Sequence, residues 1–173
     1  MATHDDGVRR LLDQDAIMKV IYRYCRGIDR RNFDLVRSCY HDDAVDTHGS
    51  YQGDVEGFLA RTQESLRRCE MTTHFIGNTI IDVDSDSARS EAYALAFHRL
   101  AATDRHGLRD RVVALRYVDR FERRRAEWRI ATRVCVTDWT RTDPVPRGWD
   151  FPAGWSRGVA GASDPTKGYF DHH

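Results

Sequence analysis

Four polar side chains fall where the surrounding pattern calls for small or apolar ones. His98 ends a run of Ala88, Ser90, Ala92, Ala94 and Ala96, which occupies every second position and so shares one face of a strand. Arg133 shares its strand face with Ala131 and Cys135, and Asp29 stands four residues beyond Cys25 and eight beyond Ile21, at the edge of a helical apolar stripe. Tyr24 lies on that stripe and aims a phenol inward, where it needs a hydrogen-bond partner. Taken singly, such residues read as a satisfied core histidine, a structural ion pair or a helix end. Together they point to a site, and an imidazole with an ordinary pKa of about 6.5 suits it to proton transfer near neutral pH.

Metal chemistry is disfavoured by spacing. The eight histidines and four cysteines contain no His-x-His, His-x-x-x-His or Cys-x-x-Cys pair that would supply two ligands from one element. Cys25, Cys39, Cys69 and Cys135 are scattered, mostly within apolar patterns, and are expected to be free thiols. His172 and His173 close the chain as an isolated pair.

The elements that must position these residues come in two blocks. Ile17, Val20, Ile21, Tyr24, Cys25 and Ile28 follow helical spacing, which predicts a first helix over 13–29. Asn32 is placed to cap a short second helix carrying Phe33, Val36 and Tyr40, and His41-Asp42-Asp43 reads as a loop. Residues 45–48 and 50–52 form a short hairpin, and Asp54 opens a third helix carrying Val55, Phe58, Leu59, Thr62 and Leu66 that ends near Cys69. From Met71 the period changes to two over 71–84, 87–103, 109–123 and 127–139, with polar breaks short enough for hairpins. Helices first and a meander afterwards predict an α+β domain over 1–139, with the helices on one face of a curved antiparallel sheet. Residues 140–173 hold all four prolines and read as an irregular tail.

Such a sheet has two faces with different tasks. The alanine row facing the helices fills a core only if large helix side chains or a bound molecule occupy the remaining space. Tyr93, Leu95 and Phe97 then point outward, where a further subunit is the natural cover. At 173 residues, one domain is expected. Lys plus Arg and Asp plus Glu each number 27, so no global basic field draws the chain to nucleic acid. Without a membrane-length apolar run or a signal-peptide layout, the chain is expected to be cytoplasmic and to have no membrane partner.

The order of elements, the run Tyr24-Cys25-Arg26-Gly27-Ile28-Asp29 and the later Thr73-His74-Phe75 resemble the SnoaL-like branch of the nuclear-transport-factor-2-like superfamily. The resemblance covers nearly the whole chain. It implies a cone-shaped α+β barrel in which three N-terminal helices and the curved sheet enclose a pocket. Within that branch the chain is most similar to the cofactor-free lyases bile-acid 7α-dehydratase, scytalone dehydratase and hexachlorocyclohexane dehydrochlorinase, which share an Asp-His dyad. By that resemblance His74 is the base, Asp29 its carboxylate, and Tyr24 and Arg133 further catalytic residues. His98, Asn78 and Phe75 are then substrate-binding residues.

The implied activity is elimination of water from a hydrophobic polycyclic alcohol such as a steroid or polyketide, with no metal or organic cofactor. Asp29 fixes the imidazole, His74 removes a proton, and Tyr24 or Arg133 steadies enolate charge. The leaving oxygen then takes a proton from His74 or His98. Isomerisation, ring closure, and a non-catalytic role as a ligand carrier or dioxygenase β-subunit-like module remain alternatives on the same frame. The resemblance also implies a homotrimer and a C-terminal lid. Trp149, Phe151, Trp155, Tyr169 and Phe170 supply aromatic surface for a tail that docks.

Overall fold

In the computed structural model, which describes residues 4–146, 151–161, 163–166, 168 and 169, helix α1 (His4–Asp29) buries the stripe Ile17, Val20, Ile21, Tyr24, Cys25 and Ile28. The helix begins nine residues earlier than the apolar pattern predicts. Its first turns are exposed, Leu11 and Leu12 included, and Asp5 and Asp6 complement the positive end of the helix dipole. Arg31, in the left-handed region at φ 53°, turns the chain out of α1, while the Asn32 N–H donates back to the Gly27 carbonyl.

Helix α2 (Phe33–Ser38) is capped by Asn32, whose side chain accepts from the Leu35 N–H at 3.0 Å. Gly27 permits its close approach to α1, because a Cβ there would lie 2.6 Å from Val36 Cγ2. The sheet then begins with β1 (Tyr40–His48) and β2 (Tyr51–Asp54), followed by α3 (Val55–Leu66), which Asp54 caps through the Gly57 N–H. The long strands are β3 (Cys69–Asp84), β4 (Ser87–Leu100), β5 (Arg109–Arg124) and β6 (Glu127–Pro144).

The six strands lie in the order β2-β1-β6-β5-β4-β3, an open curved sheet with the helices across its concave side. All pairings are antiparallel except β1 with β6, which is parallel. Register shifts in β3 between Ile76 and Thr79, and opposite Ala114/Leu115 and Arg120/Phe121 in β6, insert extra residues that bend the sheet.

Three local expectations are corrected. Tyr40 belongs to β1 rather than α2, and His41-Asp42-Asp43 is extended chain rather than loop. Tyr40 and Ala44 are both buried, and the irregular stretch between them is absorbed by a shift in the β1–β6 register. The sequence from Thr140 to Pro144 continues β6, because β5 starts early enough to pair with it through Arg109↔Pro144 and Val113↔Thr140.

The alanine row is buried as expected, and Tyr93 and Leu95 are exposed on the far face, together with Phe75, Ile80, Val118, Val134 and Trp139. The described tail docks on the end of α1: the Gly161 N–H donates to the Arg30 carbonyl, and buried Asp164 pairs with Arg30 at 3.5 Å. None of its described residues lines the central cavity, and Trp155 and Tyr169 are exposed. Trp149, Phe170, His172 and His173 lie outside the described residues.

Candidate active site

Asp29 is the last residue of α1, where the negative end of the helix dipole works against a carboxylate. Its position is stabilised by the edge strand β3, whose free side the helix end covers. The His74 backbone N–H, pointing away from β4, donates to Asp29 Oδ2 at 2.8 Å. The His74 imidazole Nδ1–H donates to Oδ1 at 2.7 Å. The Arg31 guanidinium donates to the carbonyls of Leu66 and Cys69 and so ties the end of α1 to the start of β3.

Burial pushes the Asp29 carboxyl up. The His74 imidazole and backbone hydrogen bonds, with Thr72 beside them, outweigh burial and hold it below the ordinary carboxylate range. An ionised Asp29 fixes the proton of His74 on Nδ1 and leaves the Nε2 lone pair free. This is the arrangement of a general base held in one tautomer.

His74 lines a cavity of about 670 Å³, of a size that suits a small polycyclic molecule. His98 also lines it, two residues along β4 from Ala96, the partner of His74, with its ring edge-on to His74 at 5.9 Å between centroids. Burial, His74 and Arg111 together push the His98 imidazole down to about 4, so it is neutral near pH 7. Its buried Nδ1 has no hydrogen-bond partner among the described residues. The alanine row does leave space on this face: Ala96 lines the cavity, together with Leu100, Val113, Leu115 and Tyr117.

The structure separates the other expected site residues from the dyad. Phe75 and Asn78 line a shallow depression on the outer face of the sheet with Tyr93 and Trp139. Strand alternation sends Phe75 opposite to its neighbour His74, and its surface is 68% exposed. Neither residue lines the cavity that His74 lines.

Tyr24 and Arg133 come together, but inside the wall rather than on the cavity surface. Arg133 Nε and Nη2 each donate to Asp119 at 2.7 Å, with both side chains fully buried. The guanidinium is sandwiched between the Tyr24 and Tyr117 rings at 4.1 and 4.2 Å. Burial works against the Arg133 charge, but Asp119 outweighs it and keeps the guanidinium protonated. Burial also raises the Tyr24 phenol well above its ordinary range. Both residues brace the wall.

Sequence reasoning missed Asp119, although it stands between Tyr117 and Phe121 on the apolar face of β5, directly opposite Arg133. It also missed a second acidic-imidazole pair at the far end of the cavity. There buried Asp46 accepts from the Tyr40 hydroxyl at 2.7 Å, and His48 Nδ1 lies 3.6 Å from Asp46 Oδ1. Burial pushes His48 down, yet Asp46 and Cys135 outweigh it and raise the imidazole to about 9. The i, i+2 spacing of Asp46 and His48 on one strand face was the available signal. Among the described residues, no group of three or more His, Cys, Asp or Glu side chains is placed to hold a metal ion.

A curved sheet roofed by three helices, with a half-buried Asp-His pair facing a cavity, defines a nuclear-transport-factor-2-like α+β cone. The SnoaL-like domain family matches residues 9–134, and the chain belongs to that family. No curated protein matches the sequence.

Among solved structures, the chain is similar to hexachlorocyclohexane dehydrochlorinase LinA-type3 from Novosphingobium barchaimii LL02, at 21% identity and TM-score 0.71, over 84% of this chain and 98% of that one. A protein provisionally assigned as a scytalone dehydratase from Novosphingobium aromaticivorans DSM 12444 aligns at 19% identity and TM-score 0.67, over 82% and 97%. The β subunit of a provisionally assigned aromatic-ring-hydroxylating dioxygenase from the same organism aligns at 23% and 0.59, over 76% and 93%. At these identities the similarity establishes the fold, and function has to be argued from the site.

Proposed function

We propose that the protein is a cofactor-independent lyase that eliminates water from a hydrophobic, polycyclic hydroxylated substrate of the steroid or polyketide kind. The observation that carries this reading is the two-point clasp of Asp29 on His74, through both the imidazole Nδ1–H and the backbone N–H. A histidine held only for structure does not require a fixed tautomer facing a cavity.

His74 Nε2 takes a proton from carbon, and Asp29 stabilises the imidazolium that forms. The carbon–oxygen bond then breaks, and the hydroxide accepts a proton to leave as water. His74 returns that proton, because His98 is neutral near pH 7 and serves better as a hydrogen-bonding contact than as an acid. Tyr24 and Arg133 act from within the wall by holding its shape. The names of the dehydrochlorinase and the scytalone dehydratase both describe eliminations, which supports the same reading here.

The exposed apolar residues of the outer sheet face, Phe75, Tyr93, Leu95 and Trp139 among them, favour assembly with further copies of the chain as a trimer. The same surface would suit a β-subunit-like module, and a large partner co-purifying with the chain in place of self-association would support that second reading. No helix among the described residues is long and apolar enough to cross a membrane. A cytoplasmic location for the reaction is part of this proposal.

The test is product analysis by mass spectrometry after incubation with hydroxylated steroids and aromatic polyketides. Loss of one water from a panel member supports the lyase. A product of unchanged mass would move the chemistry to isomerisation or ring closure.

A further inference from the structure

The inner face of β5 divides the cavity by charge. Arg109, Arg111, Val113, Leu115 and Tyr117 occupy alternate positions and all line it, so two cations stand at one end and apolar side chains run toward the other. Arg68, from the turn between α3 and β3, joins them. The lining contains these three arginines and no Asp or Glu. Among the described residues none of the three has an ion-pair partner, and Arg109 Nε is buried without any hydrogen-bond acceptor. The neighbouring Asp110 is on the opposite strand face and is held by Arg99 through two hydrogen bonds at 2.8 and 2.9 Å. Asp29 is likewise bound to His74.

Arg37, Arg99, Arg116, Arg123, Arg124 and Arg133 meet carboxylates elsewhere in the protein, as several other surface arginines among the described residues do not. Arg109 is half-buried while Arg68 and Arg111 are exposed, and guanidinium groups gathered at a cavity with no counter-charge present a fork of N–H donors that fits an oxyanion. We infer that the substrate carries an acidic oxygen group, a carboxylate or a sulfate or phosphate ester, which Arg109, Arg111 and Arg68 receive while its apolar body lies along Val113, Leu115 and Tyr117.

The register sets the reach. His74 pairs with Ala96, which pairs with Val113, so the reacting carbon lies in the Val113 row. Arg111 is two residues and Arg109 four residues along the strand, which places the acidic group roughly 7 to 14 Å from that carbon. His98, the partner of Arg111 across the sheet, stands between the dyad and the cationic end.

This inference rests on the lyase reading for its reacting carbon, but the anion site is testable by binding alone. The probes are 1-anilinonaphthalene-8-sulfonate and N-phenyl-1-naphthylamine, which share one aromatic skeleton and differ by the sulfonate. Fluorescence titration of the unmodified protein should show the sulfonate bound at least about tenfold more tightly. Arg109→Gln with Arg111→Gln should bring the two affinities within about threefold while the neutral probe binds as before. Raising salt from about 50 to about 500 mM should weaken only the sulfonate in the unmodified protein, which checks the site without any substitution. Equal affinities in the unmodified protein, or a preference that ignores both salt and the substitutions, would overturn the inference. His74→Ala should keep the preference, so a failed lyase reading leaves it standing, whereas a lost preference beside intact turnover would remove the anion site alone.

Discussion

Removing Asp119 tests the assignment of Arg133 to the wall. Both side chains are fully buried and joined by two 2.7 Å hydrogen bonds, and among the described residues Arg133 Nη1 already lacks a partner. Asp119→Ala leaves a guanidinium in the interior with only the faces of Tyr24 and Tyr117 for company. Breaking a buried pair from one side costs about 3–5 kcal/mol, a large fraction of the roughly 5–15 kcal/mol that holds a domain of this kind folded. With a urea m-value of roughly 2 kcal/mol/M, the unfolding midpoint should fall by about 2 M. Arg133→Met should be comparably destabilising, since it strands the Asp119 carboxylate. The double substitution Asp119→Leu with Arg133→Met removes both charges at similar volume and should recover to within about 1–2 kcal/mol of the unmodified protein. With Asp119→Leu alone added as the matching single, urea denaturation followed by circular dichroism reads all four corners of this cycle. A loss below about 1 kcal/mol for Asp119→Ala, or a double variant as unstable as the two singles summed, would refute the reasoning.

Three further outcomes follow from the geometry. Asp29→Asn should lower kcat by about 10²- to 10⁴-fold with KM little changed, measured on whichever panel compound is turned over, because the carboxylate acts on the base rather than on the substrate. Gly27→Ala should cost about 1–3 kcal/mol in thermal or urea unfolding, since its Cβ would meet Val36 Cγ2 at 2.6 Å and the Val36 backbone nitrogen at 3.1 Å. His48 has a folded pKa raised to about 9 from 6.5, so its pairing with Asp46 stabilises fully below the unfolded value and is lost as pH rises through about 9. The stability gap between the unmodified protein and His48→Gln should therefore shrink from pH 6.5 to above pH 9, by at most roughly 3 kcal/mol and less with solvent screening.

The features legible in the sequence were those with local causes. Ile17 through Ile28 repeat at helical spacing, Asn32 and Asp54 cap as their types imply, and the four long strands alternate between polar breaks. The parallel contact of β1 with β6 was not legible, since it joins residues about ninety positions apart and nothing near Tyr40 marks it. For the same reason the stretch around Asp42 reads as loop, though long-range pairing extends it.

The site was legible unevenly. Asp29 stood out at the edge of the helical stripe, its pairing with His74 entered through resemblance, and the hydrogen bonds between them are observed. Phe75 and Asn78 stand on the other face from His74 because adjacency in sequence means opposite faces in a strand, and the register shift lies beside Asn78. Arg133 was correctly singled out as buried, but the alternation that flagged it also contained Asp119, its partner. Arg109 and Arg111 stood in plain alternation with Val113 and Leu115, yet charge at a strand end reads as solvated until the cavity is seen.

The central claim, that His74 is the base, is tested most directly by comparing turnover of a dehydrated panel compound by the unmodified protein and by His74→Ala, with ligand binding measured on both. The account predicts that the variant binds the compound and releases no water from it. Elimination that continues at a comparable rate in His74→Ala would contradict the dyad mechanism.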